Sequence, residues 1–356
     1  MAFGLFKKKK KQKDDRYQVL TIKEVVHVAK DAVNLVFEKP ESFEYEPGQF
    51  ITLIKEVNGK KIRRAYSLCT TPFEDENPAV TVKRVDGGAM SNDLNDHAKA
   101  GDQIQIMEPM GMFTTTYETN NKRDAVFFGG GSGITPLMSI IRSILLKEPN
   151  SKTTLVYGNR RKEFVIFKDL IAELTEKYPE RFRVIHILEE GDADYQGRPT
   201  PALIGEICEA INVSNKTEYY ICGPQPMMDV VSEGLNKKGV KAGNIRMESF
   251  EAGKTSPSTI IDQGSSESEV AILLDGEEYS ITVKKNASIL ETALDNDLDM
   301  PYSCQSGLCT ACRGKCVEGQ ISIDEAEGLS QDELDEGYVL TCVGKPLTDR
   351  IKVEIG

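Results

Sequence analysis

The stretch AVFFGGGSGITPLMSIIRSILL, residues 125–146, sets the architecture of the middle of this chain. AVFF reads as a buried strand and the glycines after it as a tight turn. An apolar helix then opens at Pro136, a residue that suits a first helical turn. Such a turn lets backbone amides approach a phosphate at the helix N-terminus. The alternation continues through TLVYGNR (154–160), FKDLIAELTEKY (167–178), RFRVIHIL (181–188), TPALIGEICEAI (200–211), EYYICGP (218–224) and PMMDVVSEGLNKKG (226–239). Strands alternating with helices predict a parallel, doubly wound α/β sheet. Ligands in such sheets bind beyond the strand C-termini, so GGGSGITP (129–136) and CGPQPMM (222–228) should border one cleft.

Upstream the rhythm differs. YQVLTIKEVVHV (17–28), AVNLVFEK (32–39), PGQFITLIKEV (47–57), AVTVKRV (79–85) and DQIQIMEPM (102–110) are short strands split by turn residues. This spacing predicts an antiparallel β-barrel. Downstream, GKTSPSTIIDQGSSES (253–268) has a linker's composition. A hairpin (270–283) and a helix (287–298) follow it. The expected division is a tail at 1–16, a barrel at 17–116, an α/β domain at 117–252, a linker at 253–268 and a small α+β domain at 269–356.

That last domain carries C-x4-C-x2-C across Cys304, Cys309 and Cys312, with Cys342 thirty positions on. This is the spacing at which four thiolates hold a [2Fe–2S] cluster. Gly307 and Gly314 are expected to let backbone pass close to sulfur, and Ser303, Ser306 and Thr310 are short polar residues suited to the same loop. A structural zinc site or plain buried thiols are the alternatives; zinc commonly uses two C-x2-C knuckles, and a second is missing. Cys69, Cys208 and Cys316 read as packing residues.

Composition narrows the class. Of 356 residues 39% are hydrophobic and 28% charged, enough for packed cores, and no apolar run nears the roughly 18 residues that span a bilayer. The N-terminus lacks the apolar core of a secretory signal, so a cytoplasmic location is expected, where thiols stay reduced. The net charge is −12; the stretch from Glu269 to the end, with 18 acidic and 7 basic residues, holds −11 of it. Such acidity argues against nucleic acid and for docking on a basic protein surface. His27, His97 and His186 are scattered and form no candidate site.

RRAYS (63–67), GGGSGITP, CGPQPMM and the cysteine loop together resemble the ferredoxin–NADP⁺ reductase superfamily. The module order is similar to the three-domain reductases of phenylacetyl-CoA epoxidase and ketosteroid hydroxylase. The resemblance implies a flavin barrel, a nicotinamide domain and a β-grasp ferredoxin. It implies FAD rather than FMN, a [2Fe–2S] cluster, and NADPH or NADH as reductant. By the family's pattern Arg64 pairs with flavin pyrophosphate, Tyr66 stacks on the ring and Ser67 bonds near its N5. In VKRVDGGAMSNDL (82–94), which could otherwise be a hairpin turn, Gly88, Met90 and Ser91 offer amides and a hydroxyl to phosphate. Gly131, Ser132, Gly133 and Thr135 hold the dinucleotide. Cys222 sits beside the reacting carbon, Pro224 shapes that turn, and Glu248 and Phe250 close the domain; Ser67, Cys222 and Glu248 position the reactants. Phe250 covers the ring in place of the plastid enzymes' tyrosine.

Arg160 and Arg161 follow the second strand of the sheet, with Arg198 nearby, and favour NADPH, since arginine suits a 2′-phosphate. The implied activity passes electrons from NAD(P)H through flavin and cluster to an oxygenase, hydroxylase or desaturase docked on the acidic domain. A stand-alone quinone diaphorase is the alternative. A monomer suffices. The tail AFGLFKKKKK (2–11) could touch an anionic membrane surface.

Overall fold

The computed structural model describes residues 17–250, 267–284, 286–323 and 326–355. The expected tail (1–16) and nearly all of the expected linker lie outside them. The first unit is built from β1 (Tyr17–Ala29), β2 (Ala32–Phe37), β3 (Phe50–Val57), β4 (Lys60–Ser67), β5 (Ala79–Lys83), α1 (Ala89–His97) and β6 (Gln103–Met110). The strands are antiparallel in the order β4-β3-β6-β1-β2-β5. Leu68, one residue past β4, bridges Val80 in β5, so the edges of the sheet meet and close a barrel. The β3–β4 hairpin turns on Asn58-Gly59, both at positive φ, the pair that a two-residue turn of the right twist requires. Leu20, Leu35, Phe37, Ile51, Leu53 and Ile106 fill the interior.

The second unit has β7 (Asp124–Gly130), α2 (Ile134–Lys147), β8 (Lys152–Asn159), α3 (Lys168–Lys177), β9 (Phe182–Leu188), β10 (Tyr195–Gln196), α4 (Pro201–Ala210), β11 (Glu218–Cys222), α5 (Gln225–Lys237) and β12 (Ile245–Glu248). Its sheet is parallel, in the order β10-β9-β8-β7-β11-β12. Helix α2 starts two residues before the expected Pro136, after a single 3₁₀ turn over Gly131–Gly133. Apolar residues bury both faces: Phe127 packs in the cluster with Ile140 and Ile144 of α2, and Val126 and Phe128 in the one with Ile207 of α4 and Val231 of α5. Strand order reverses beside β7, which puts the glycine turn at the switch point where such sheets bind ligands.

Barrel and sheet share one core, since Ala32, Cys69, Ala79 and Phe113 pack into the α2 cluster. Arg142 of α2 ties the two with a fork on Asp75, at 2.7 and 2.9 Å, and a bond to Glu74 at 2.8 Å.

The third unit comprises β13 (Glu267–Leu274), β14 (Glu277–Lys284), α6 (Ile289–Asp295), β15 (Arg313–Glu318), α7 (Gln331–Asp335), β16 (Tyr338–Leu340) and β17 (Arg350–Ile355). Strand β13 begins inside the last two residues of the expected linker. The sheet order is β14-β13-β17-β15-β16, with β13 and β17 parallel. A hairpin, a crossing helix and a returning central strand are the β-grasp arrangement.

Candidate functional site

The glycine turn and the Cys222–Pro224 turn press together so closely that side chains have no room. A Cβ on Gly130 would sit 2.5 Å from Met227 Sδ, and one on Gly133 would sit 2.1 Å from the Cys222 carbonyl oxygen. Gly131 adopts φ +52° and its carbonyl accepts from Tyr157 Oη at 2.8 Å, which pins the turn. The bare backbone at the start of α2 opens on a cavity of about 520 Å³ lined by Gly131, Pro224, Asn159, Arg160, Arg198 and Lys83. The two turns thus border one cleft, as their positions at strand ends predict.

Not every expected residue reaches it. Thr135 is buried and donates to the Ser132 carbonyl at 3.0 Å, so it holds the turn's shape; Gly133 lies beneath Cys222 and Ser132 is half-exposed. Arg161 is paired with Glu190 at 2.9 Å and does not line the cavity, whereas Arg198, paired with Glu189 at 3.1 Å, and Arg160, which stacks 5.2 Å from the Phe164 ring, both do. Two lining residues escape sequence reasoning. Lys83 comes from the barrel. Asn159 is 8% exposed, and neither atom of its amide has a partner among the described residues. An unpaired buried amide on a cleft wall fits a polar ligand.

A second cavity of about 750 Å³ lies where all three units meet, lined by Arg64 and Ser67 of the barrel, Glu248 at the end of β12, Phe250 just past it, and Cys304. Strand pairing sets Cys222 beside Glu248, and Cys222 is fully buried. Burial, then the neighbouring Cys304, holds the Glu248 carboxyl up at about 8; burial, then Glu248, pushes the Cys222 thiol well above its ordinary value. Ser67 Oγ and Glu248 Oε2 are buried without partners among the described residues, which fits a ring system carrying its own donors and acceptors. Phe250 stands half-exposed at the rim. Tyr66 rests against the barrel core. Gly88 precedes helix α1 instead of turning a hairpin. The Met90 side chain is core, and Ser91 Oγ accepts from the Val85 amide at 3.2 Å. Only amides at the start of α1 remain to face a phosphate there.

In the third unit no three of His, Cys, Asp or Glu converge as on a single ion, among the described residues. The thiols instead form pairs, Cys304 with Cys309 and Cys312 with Cys342. The Cys309 thiol beside it pulls the Cys304 thiol below its ordinary value, and the same contact raises Cys309. Two thiol pairs fit a two-iron centre. The Ser306 amide donates to Cys304 Sγ at 3.5 Å and Gly307 takes φ +75°, as a loop wrapped on sulfur needs. Gly314 has another cause: a Cβ there would lie 2.6 Å from both Ile355 and Val353, so it serves sheet packing. Ser303 is likewise diverted, its hydroxyl bonded to Thr52 of the barrel. Cys69 and Cys208 are buried in the cores, and Cys316 is half-buried.

Three family models match in order: the oxidoreductase FAD-binding domain over 19–115, the oxidoreductase NAD-binding domain over 127–233, and the 2Fe-2S iron-sulfur cluster binding domain over 272–347. The ferredoxin reductase component of 3-ketosteroid-9-alpha-monooxygenase from Rhodococcus rhodochrous is 34% identical, over 95% of this chain and 97% of its own. A component of 1,2-phenylacetyl-CoA epoxidase from Escherichia coli K12 is 32% identical, with the same shares. The chain belongs to the three-domain reductases of oxygenases. The fold of phthalate dioxygenase reductase agrees, at a TM-score of 0.61 and 24% identity, covering 96% of this chain and 98% of that one. As a member of this family the protein is an NAD(P)H-dependent oxidoreductase that carries FAD and a [2Fe–2S] cluster and supplies an oxygenase. Among the described residues of this reductase no helix is long and apolar enough to cross a membrane.

Proposed function

We propose that the reductase works as a cytoplasmic monomer that delivers single electrons to an oxygenase-class acceptor docked on its acidic ferredoxin unit. The observation that carries this reading is the three-unit cavity, which Ser67, Glu248 and Cys304 line together. Bound flavin and cluster couple the two-electron chemistry of a nicotinamide to one-electron delivery. The chain's residues do the placing. Ser67 offers its hydroxyl to the ring, and Glu248, neutral near pH 7, keeps a proton on its carboxyl. Phe250 covers the rim, and Cys222 underlies the nicotinamide end. Arg64 and the amides at the start of α1 take the flavin phosphates; Gly131 and the start of α2 take those of the dinucleotide. Arg160 recognises the 2′-phosphate of NADPH. Cys304, Cys309, Cys312 and Cys342 hold the cluster.

The charge of −11 on the last unit steers a basic acceptor. Tail contact with an anionic bilayer would bring the reductase near a membrane-bound acceptor; loss of flotation with liposomes on deletion of residues 1–13 tests it.

Cys304→Ser separates this reading from a quinone diaphorase. The variant should lose NADPH-driven cytochrome c reduction while keeping ferricyanide reduction. Undiminished cytochrome c reduction by protein lacking cluster absorbance would reject the cluster as outlet.

A further inference from the structure

The ferredoxin unit meets the barrel through a small polar contact that joins Arg63, the first residue of RRAYS, to the segment just before the cysteine loop. Asp299 accepts from Lys61 Nζ at 2.8 Å and from Arg63 Nη2 at 2.7 Å. Arg63 is 3% exposed and its guanidinium lies 5.3 Å from the Tyr302 ring, a cation–π distance. Beside them the hydroxyls of Thr52 and Ser303, both buried, are hydrogen-bonded.

Position in the chain gives this contact its meaning. Arg63 precedes Arg64 and lies four residues before Ser67, and both of these line the flavin cavity. Ser303 precedes Cys304, which lines the same cavity from the other side. On each partner, contact and cavity wall are neighbours along one rigid strand or loop.

We propose that Asp299, clamped by Lys61 and Arg63, is the positioning residue that seats the cluster loop on the flavin cavity for internal electron transfer. This rests on the reading that Cys304 and its three partners hold the cluster. In the step it serves, reduced flavin loses one electron and the oxidised cluster gains it; no atom moves, and NAD(P)H is the source. Transfer falls steeply with separation, so a loosened seat slows this step and spares flavin reduction. Charge-assisted bonds are strong where buried and are screened where exposed. Lys61 and the Asp299 carboxylate are exposed and only Arg63 is buried, so the clamp should yield partly to salt.

The test uses full-length holoprotein as wild type, Asp299→Asn, Asp299→Glu and Lys61→Met. Cluster and flavin bleaching by NADPH are followed separately at low and high salt, and small-angle scattering gives the radius of gyration of each oxidised protein. In Asp299→Asn, cluster reduction should slow about tenfold, the loss expected for a charged hydrogen bond. Flavin reduction should be unchanged and the radius of gyration larger. Asp299→Glu should retain most of the rate, and Lys61→Met should lose part of it together with part of the salt dependence. Wild-type cluster reduction and radius in both Asp299→Asn and Lys61→Met would overturn the proposal. If Asp299→Asn fails to assemble its cluster, Lys61→Met decides. Failure of the underlying reading looks different, as a wild-type cluster that NADPH never bleaches.

Discussion

Glu248 is the residue whose chemistry depends most on its burial. Its carboxyl is held at about 8 against an ordinary 4.5. Folding therefore favours the protonated form, and the folded state loses stability as pH climbs from about 4.5 through about 8. Glu248→Gln has no such loss. Thermal midpoints measured across that window should shift against the wild type relative to the variant; parallel profiles would refute a buried neutral carboxyl. Arg160 and Arg161 make a second comparison. Arg161 is engaged by Glu190, so Arg160→Ala should lower the NADPH/NADH ratio of kcat/KM about tenfold and Arg161→Ala much less. An unchanged ratio in Arg160→Ala removes the 2′-phosphate assignment. The cysteines and RAYS could be read from the chain because such chemistry needs fixed local spacing. Lys83 and Asn159 could not, because each is an ordinary strand-end residue until barrel and sheet pack together, and neither could the pairing of Arg63 in mid-strand with Asp299 far along the chain.

Among elements, the turns were the most readable part where glycine chemistry forces them. Asp275-Gly276 closes the β13–β14 hairpin as Asn58-Gly59 closes β3–β4, all four at positive φ. DGG at 86–88 has the same look but leads into a helix, because Met90 and Leu94 of that helix fill the barrel core. Helix α6 shows an element supporting a site. Ser288 caps it by accepting from the Glu291 amide at 3.1 Å, and the amides of Ile289 and Leu290 donate to Gly344 and Thr341, which flank Cys342 and Val343. Ser288→Ala should cost the ferredoxin unit about 1 kcal/mol. The check is the temperature at which cluster absorbance is lost, expected to fall while flavin release is unaffected. A cluster as heat-stable as the wild type's would disconnect the cap from the loop.

Across the whole molecule, periodicity and motif order predicted three units, and the order of matched domains agrees. Their mutual seating was not readable. It depends on Asp299 finding Lys61 and Arg63 across more than two hundred residues, and on Arg142 reaching Asp75 from another sheet. Through that seating two readable motifs, RRAYS and the cysteine loop, come to face one cavity. The central claim is that electrons pass from nicotinamide to flavin and only then to the cluster. Anaerobic stopped-flow mixing of oxidised holoprotein with NADPH, recorded at flavin and cluster wavelengths together, tests it most directly. The account predicts flavin bleaching first and cluster bleaching after it, at a rate independent of NADPH concentration. Cluster bleaching that precedes flavin bleaching, or that persists in flavin-depleted protein, would contradict it.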